Sequence, residues 1–236
     1  MNFRWEWDVF LRDNGGGQTY LDWLISAWGW TLTVAAGGWL VAIVFGSVIG
    51  TLRTVPQRGI AGAAHAWVEL FRNIPLLVQL FLWYHVVPAL IPPLKSLPSV
   101  VLVIFALGFF TSARVAEQVR AGIQSLSRGQ ANAGLALGFT LPQTYRYILL
   151  PLAFRIIIPP LTSEAMNVVK NSAVAFAVSV AELTMFALQA QEETSRGIEI
   201  YLAVTGLYVI TALAVNRAMA LIDRRLRVPG YAGGAR

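Results

Sequence analysis

Four stretches of this 236-residue chain contain no Asp, Glu, Lys or Arg: residues 23–52, 73–94, 96–113 and 200–216, between 17 and 30 residues long. A helix needs about 20 apolar residues to cross a hydrocarbon core, so each run crosses or nearly crosses one. A fifth apolar stretch, residues 156–181, is interrupted by Glu164 and Lys170 and reads as a span that carries polar function inside the membrane. Composition agrees: 56% of residues are apolar and 13% charged, about half the roughly 25% charge of soluble chains. These features predict an all-α integral membrane protein with five transmembrane helices and termini on opposite sides.

The basic residues set the expected orientation, because cytoplasmic segments are enriched in Lys and Arg. With the N-terminus outside, twelve of the eighteen fall inside: Arg53, Arg58, Arg72, Arg120, Arg128, Arg146, Arg155, Arg217, Arg224, Arg225, Arg227 and Arg236. Acidic residues show the reverse bias, so the expectation is N-out, C-in. Residues 1–22 then form an outer segment, and with no contiguous apolar core there, the first span is expected to serve as the insertion signal. Trp23, Trp28 and Trp30 suit an interfacial aromatic belt, and Gly46 and Gly50 are a small-residue pair that permits close helix approach. The excess of six positive charges is absorbed by this topology and gives no reason to expect nucleic acid. The Arg224-Arg225-Leu226-Arg227 run, which leads into a tail of residues 225–236, reads as a positive-inside anchor. There is no cysteine and only two histidines, so no metal site is expected.

Between the third and fourth spans, in a loop of about residues 124–152, the run from Gln130 to Gly138 reads as a short helix closed by glycine. A second helix follows, with Thr140 as cap, Pro142 in the first turn and Gln143 at the reciprocal position of a capping box. Pro151 and Pro159-Pro160 are expected to mark turns or kinks. This loop resembles that of the transmembrane subunits of binding-protein-dependent ABC importers, whose signature is Glu-Ala-Ala, three residues, Gly, nine residues, Ile, one residue, Leu-Pro. The spacing is intact in Asn132-Ala133-Gly134, Gly138, Ile148, Leu150 and Pro151, while Asn132 and Gly134 depart from the signature's Glu and second Ala. Residues 69–80, 116–123 and 167–172 are similar to segments typical of polar-amino-acid permeases. Arg72-Asn73-Ile74-Pro75 and residues 162–167 look most like the glutamate/aspartate branch.

The resemblance implies a type I ABC importer transmembrane domain over residues 23–224, in a bacterial inner membrane. It implies a second permease subunit, two ATPase subunits and a periplasmic solute-binding protein as partners, besides membrane lipid. It assigns Gln130, Asn132, Ala133, Gly134 and Gly138 to ATPase coupling. No Gly-x-x-x-x-Gly-Lys-[Ser/Thr] loop occurs, so this chain is expected to be no enzyme and to bind no cofactor, with ATP and Mg2+ held by the partner ATPase. The implied activity is translocation of glutamate/aspartate by alternating access. A permease for arginine, histidine or glutamine, or an ATP-independent secondary transporter, are the alternatives.

On a helix turning about 100° per residue, Ser163, Glu164, Asn167, Lys170 and Asn171 project within roughly a 120° arc. A mid-bilayer charge costs roughly 2.5 to 3.5 kcal/mol, so the stripe should face protein or a watery pathway. As a pathway lining, Lys170 would attract a substrate carboxylate, Asn167 and Asn171 would hydrogen-bond, and Glu164 would supply local charge compensation. The other reading is that Glu164 and Lys170 pair with neighbouring helices and never touch substrate. Arg114, Glu117 and Arg120 are spaced to pair along one helix side, as structural ion pairs or as a cytoplasmic gate. His85 reads as a packing or interfacial residue rather than a proton carrier.

Overall fold

In hydrocarbon a backbone must satisfy its own N–H and C=O groups, and a chain this apolar therefore turns helical wherever it spans. The computed structural model describes residues 4–226, and among these the ordered backbone is helical apart from an isolated bridge between Asp13 and Thr19. A 3-10 turn, Trp7–Leu11, comes first. The α-helices are α1 Tyr20–Leu52, α2 Arg58–Asn73, α3 Leu76–Phe81, α4 Val87–Leu90, α5 Ser99–Gln124, α6 Arg128–Ala136, α7 Leu141–Thr144, α8 Leu150–Asn171, α9 Leu183–Thr194 and α10 Gly197–Leu226. A π-helical turn, Leu82–Val86, joins α3 to α4, and another, Tyr145–Leu149, joins α7 to α8. Of the predicted tail, Arg227 and Arg236 lie outside the described residues.

Four helical stretches, Tyr20–Leu52, Ser99–Gln124, Leu141–Val178 and Gly197–Leu226, are long and apolar enough to cross a membrane; a fifth qualifies if α2 and the run to Leu90 count as one bent span. The break falls at Ile74-Pro75, where Ile74 is extended (φ −97°, ψ 130°), as expected before proline. Two helices were not anticipated, α2 and α9. Both bury the i, i+3, i+4, i+7 stripe of an amphipathic helix: Ala64, Trp67, Val68 and Phe71 in α2, Leu183, Phe186, Ala187 and Ala190 in α9. Pro159 and Pro160 do not end α8, which stays helical through both. Their rings hold φ near the helical value, at the cost of the donors that the carbonyls of Arg155 and Ile156 would have used.

The chain forms two compact units. One comprises Met1–Trp39, Pro75–Gly108 and Asn167–Leu213, the other Leu40–Ile74, Phe109–Met166 and Ala214–Arg236. In the first, Val9 and Phe10 of the 3-10 turn pack with Tyr20, Leu24, Phe186 and Ile200 in a single apolar cluster. The N-terminal segment is tied there by charge as well: Arg12 pairs with Asp8 at 2.8 Å and Glu6 at 3.1 Å, and Glu6 pairs with Arg196. In the second, α1 and α5 approach so closely that only glycine fits. A Cβ on Gly46 would lie 2.5 Å from that of Val115, and one on Gly50 would lie 2.6 Å from the Ala116 carbonyl. Phe45, Trp67, Phe71 and Phe109 stack beside this crossing, and Trp67 donates its indole N–H to Ser112 at 3.2 Å.

Candidate functional site: the loop around α6 and α7 and the charges of α5 and α8

The loop of the second unit is built by local bonds. Gly138 closes α6 in the left-handed region (φ +85°), where a side chain costs about 1–2 kcal/mol, and Phe139 N–H reaches back to the Gly134 carbonyl at 3.1 Å. Thr140 N–H donates to the Gln143 side chain at 2.8 Å, the reciprocal half of the capping box. Gly134 is buried against Thr144 and Ile148, whereas Asn132 and Ala133 are exposed and Gln130 is half-buried. The loop also presents Leu135, Leu137 and Tyr147, each at least half exposed. One link was invisible in the sequence: the Tyr145 hydroxyl donates to the Thr54 carbonyl at 2.9 Å, joining the loop to the chain just after α1.

Further along this unit, Glu117 of α5 is a hub. Its carboxylate meets Arg53 at 2.7 Å, Arg120 at 2.9 Å and Arg72 at 3.6 Å, gathering the ends of α1 and α2 onto α5. Arg53, 8% exposed, also contacts His65 Nδ1 at 3.2 Å. Arg114 does not join the expected intrahelical row. It lies over the Phe110 ring at 4.5 Å and pairs at 3.9 Å with Glu164 of α8. Of the two readings offered for Glu164, compensation of Lys170 or pairing with a neighbouring helix, the contact with Arg114 is of the second kind; the two helices bring together charges 50 positions apart.

In the first unit Lys170 is exposed and has no ion pair or hydrogen bond among the described residues, and Asn167 and Asn171 are half-buried. Sequence reasoning placed Glu182 only among the outer acids and gave it no role. Fully buried, it caps α9 by accepting from the N–H groups of Thr184 (2.9 Å) and Met185 (3.0 Å), and its other oxygen accepts from the Tyr208 hydroxyl at 2.8 Å. Thr31 accepts from Leu183 N–H at 3.1 Å, so α1, α9 and α10 meet here. Burial pushes the Glu182 carboxyl above the ordinary carboxylate range, outweighing the opposing pull of those hydrogen bonds. No cluster of three or more His, Cys, Asp or Glu that could hold a metal occurs among the described residues.

Residues 42–228 match the family described as binding-protein-dependent transport system inner membrane component. The chain is 43% identical over 245 residues to the glutamate/aspartate import permease protein GltJ of Escherichia coli K12, covering 99% of this chain and all of that one. It is 29% identical over 200 residues to the glutamate/aspartate import permease protein GltK of Escherichia coli O6:H1, covering 83% and 89% of the two chains. A solved amino acid ABC transporter with histidines matches with a TM-score of 0.74 at 31% identity, over 87% of this chain and 95% of that one.

Proposed function

The chain belongs to the binding-protein-dependent transport system inner membrane components and is an amino-acid ABC importer permease, and from that premise we propose that it carries glutamate and aspartate across the inner membrane. The observation that supports this reading is the full-length similarity to a glutamate/aspartate import permease, together with an exposed Lys170 that has no ion pair among the described residues and sits on the polar stripe of α8. An ammonium there attracts the carboxylates of an acidic amino acid, with Asn167 and Asn171 as hydrogen-bonding neighbours.

In this reading the N-terminus is outside, and residues 23–224 form the translocating domain beside a second permease subunit. A periplasmic binding protein delivers substrate. Two ATPase subunits hold ATP and Mg2+ and receive the loop at Gln130, Asn132, Ala133, Gly134 and Gly138. The exposed Leu135, Leu137 and Tyr147 give that loop an apolar face for a partner's groove. ATPase closure moves the loop, and the Tyr145–Thr54 bond passes that motion to the end of α1. The Glu117 hub and the Arg114–Glu164 pair act as structural ties or as gate contacts along the same path. A second reading, a permease for histidine, arginine or glutamine, is favoured by the likeness to the transporter solved with histidines.

The test is ATP-dependent uptake of radiolabelled glutamate by the reconstituted complex. Aspartate should compete while glutamine, arginine and histidine do not, and Lys170→Glu should lower uptake about tenfold or more with assembly intact, a barrier change of about 1.4 kcal/mol. Better competition by a neutral or cationic amino acid overturns the acidic substrate; an unchanged Lys170→Glu complex overturns the role of Lys170.

A further inference from the structure

The first unit contains a pocket of about 410 Å³ lined by side chains from residues 84–102. Its volume lies in the roughly 300–1,000 Å³ range of small-molecule sites. Four polar side chains converge on it: Tyr84, His85, Lys95 and Ser99. Two of them come from the π-helical turn Leu82–Val86, a local widening that recurs at functional sites and re-aims the side chains it carries. The His85 ring is held edge-on to Tyr84 at 4.7 Å and lies 6.1 Å from Phe81. Lys95 is set by the 3-10 turn Pro92–Ser96, whose two leading prolines restrict the backbone.

The chemistry of the wall is one-sided. A lysine ammonium only donates, and imidazole, phenol and hydroxyl each have a proton to give. No carboxylate lines the pocket, and none occurs in the chain between Glu69 and Glu117. Lys95 has no ion pair among the described residues, so its charge is not neutralised from within. An unopposed cation beside three donors, walled otherwise by apolar side chains such as Leu102 and Pro88, favours a negatively charged oxygen group over a neutral or cationic one.

We propose that the Tyr84–His85–Lys95–Ser99 pocket is an anion site that takes the carboxylate or phosphate of a small anionic molecule, separate from the polar residues of α8. Two sources offer that chemistry, a free acidic amino acid and an anionic lipid headgroup.

The absence of cysteine makes the pocket addressable by one substitution, Ala89→Cys, at an exposed position of its wall. In the assembled complex, its modification by an anionic methanethiosulfonate is compared with that by a cationic one, as a ratio normalised to a free thiol; any effect of Lys95 on the thiol itself cancels. The normalised ratio should exceed unity and fall about threefold or more in Lys95→Gln but not in Lys95→Arg. Millimolar L-glutamate should slow the anionic reagent if free amino acid is the source, and short-chain phosphatidylglycerol should slow it if lipid is; L-lysine should do neither. Protection by either anion supports the site and names its source. A ratio unmoved by Lys95→Gln, or protection by neither anion, overturns it. Neither readout depends on uptake, so the result stands apart from the substrate assignment.

Discussion

Glu117 is half-buried and Glu182 fully buried, and the two units satisfy them in opposite ways. Glu117 is surrounded by guanidinium groups, Arg53, Arg72 and Arg120, and its pairs tie the ends of α1 and α2 to α5. Glu182 meets only neutral donors, two backbone N–H groups and a phenol, and burial pushes its proton affinity up. The first is an electrostatic tie whose removal strands cations; the second is a hydrogen-bonded cap whose charge is a burden.

The contrast can be broken most forcefully at the hub. Glu117→Ala leaves the nearly buried Arg53 without a counter-charge and should destabilise the assembled complex by about 3 kcal/mol, the low end of the range because Glu117 is itself partly exposed. Thermal denaturation of the purified complex reads it, with Arg120→Ala as the control, where a more exposed pair is worth about 0–1 kcal/mol. Equal losses in the two variants would mean that Glu117 is an ordinary surface ion pair.

Glu182→Ala comes next. It orphans the N–H groups of Thr184 and Met185 and the Tyr208 hydroxyl, a loss of about 1–3 kcal/mol, seen as faster hydrogen exchange at the start of α9. No change in exchange there would remove the cap from the account.

Smallest is Glu182→Gln, whose amide keeps an acceptor oxygen for the two N–H groups. Because the folded carboxyl sits above its unfolded pKa, the protonated form is the favoured one. Its contribution is fully present below the unfolded pKa and is lost as pH rises through the folded pKa. Wild type should therefore lose stability relative to Glu182→Gln as pH is raised through that raised range. A difference independent of pH, or one that grows in the other direction, would show Glu182 to be an ordinary ionised carboxylate.

The two carboxylates also mark how far the sequence could be read. Arg114, Glu117 and Arg120 suggested a row of pairs, since spacing of three is visible in one dimension, yet only Glu117–Arg120 forms within the helix. Arg114 turns to Glu164, and Arg53 and Arg72 reach Glu117 from other helices, because proximity between helices leaves no mark on spacing. Glu182 looked like one more outer acid; Thr184 and Met185 are local, but Tyr208, which completes its shell, is 26 residues away. The α2 and α9 stripes were present as Ala64, Trp67, Val68, Phe71 and Leu183, Phe186, Ala187, Ala190, and were overlooked because charge-free length dominated the reading. Gly138 and the Thr140–Gln143 box were legible because their bonds close within five residues.

Sequence alone determined the helical membrane class, since hydrocarbon admits no unpaired backbone and runs this long and continuously apolar match a spanning helix rather than the short alternating strands of a barrel. It also determined the local form of the α6–α7 loop, since caps and left-handed glycines act over a few residues. Only the tertiary structure decided which acid meets which base, that Lys170 has no ion pair among the described residues, and that Tyr84, His85, Lys95 and Ser99 share a pocket. The physical reason is range: a charge or a donor is satisfied by whatever packing places within a few ångströms, and packing joins residues that the chain keeps far apart.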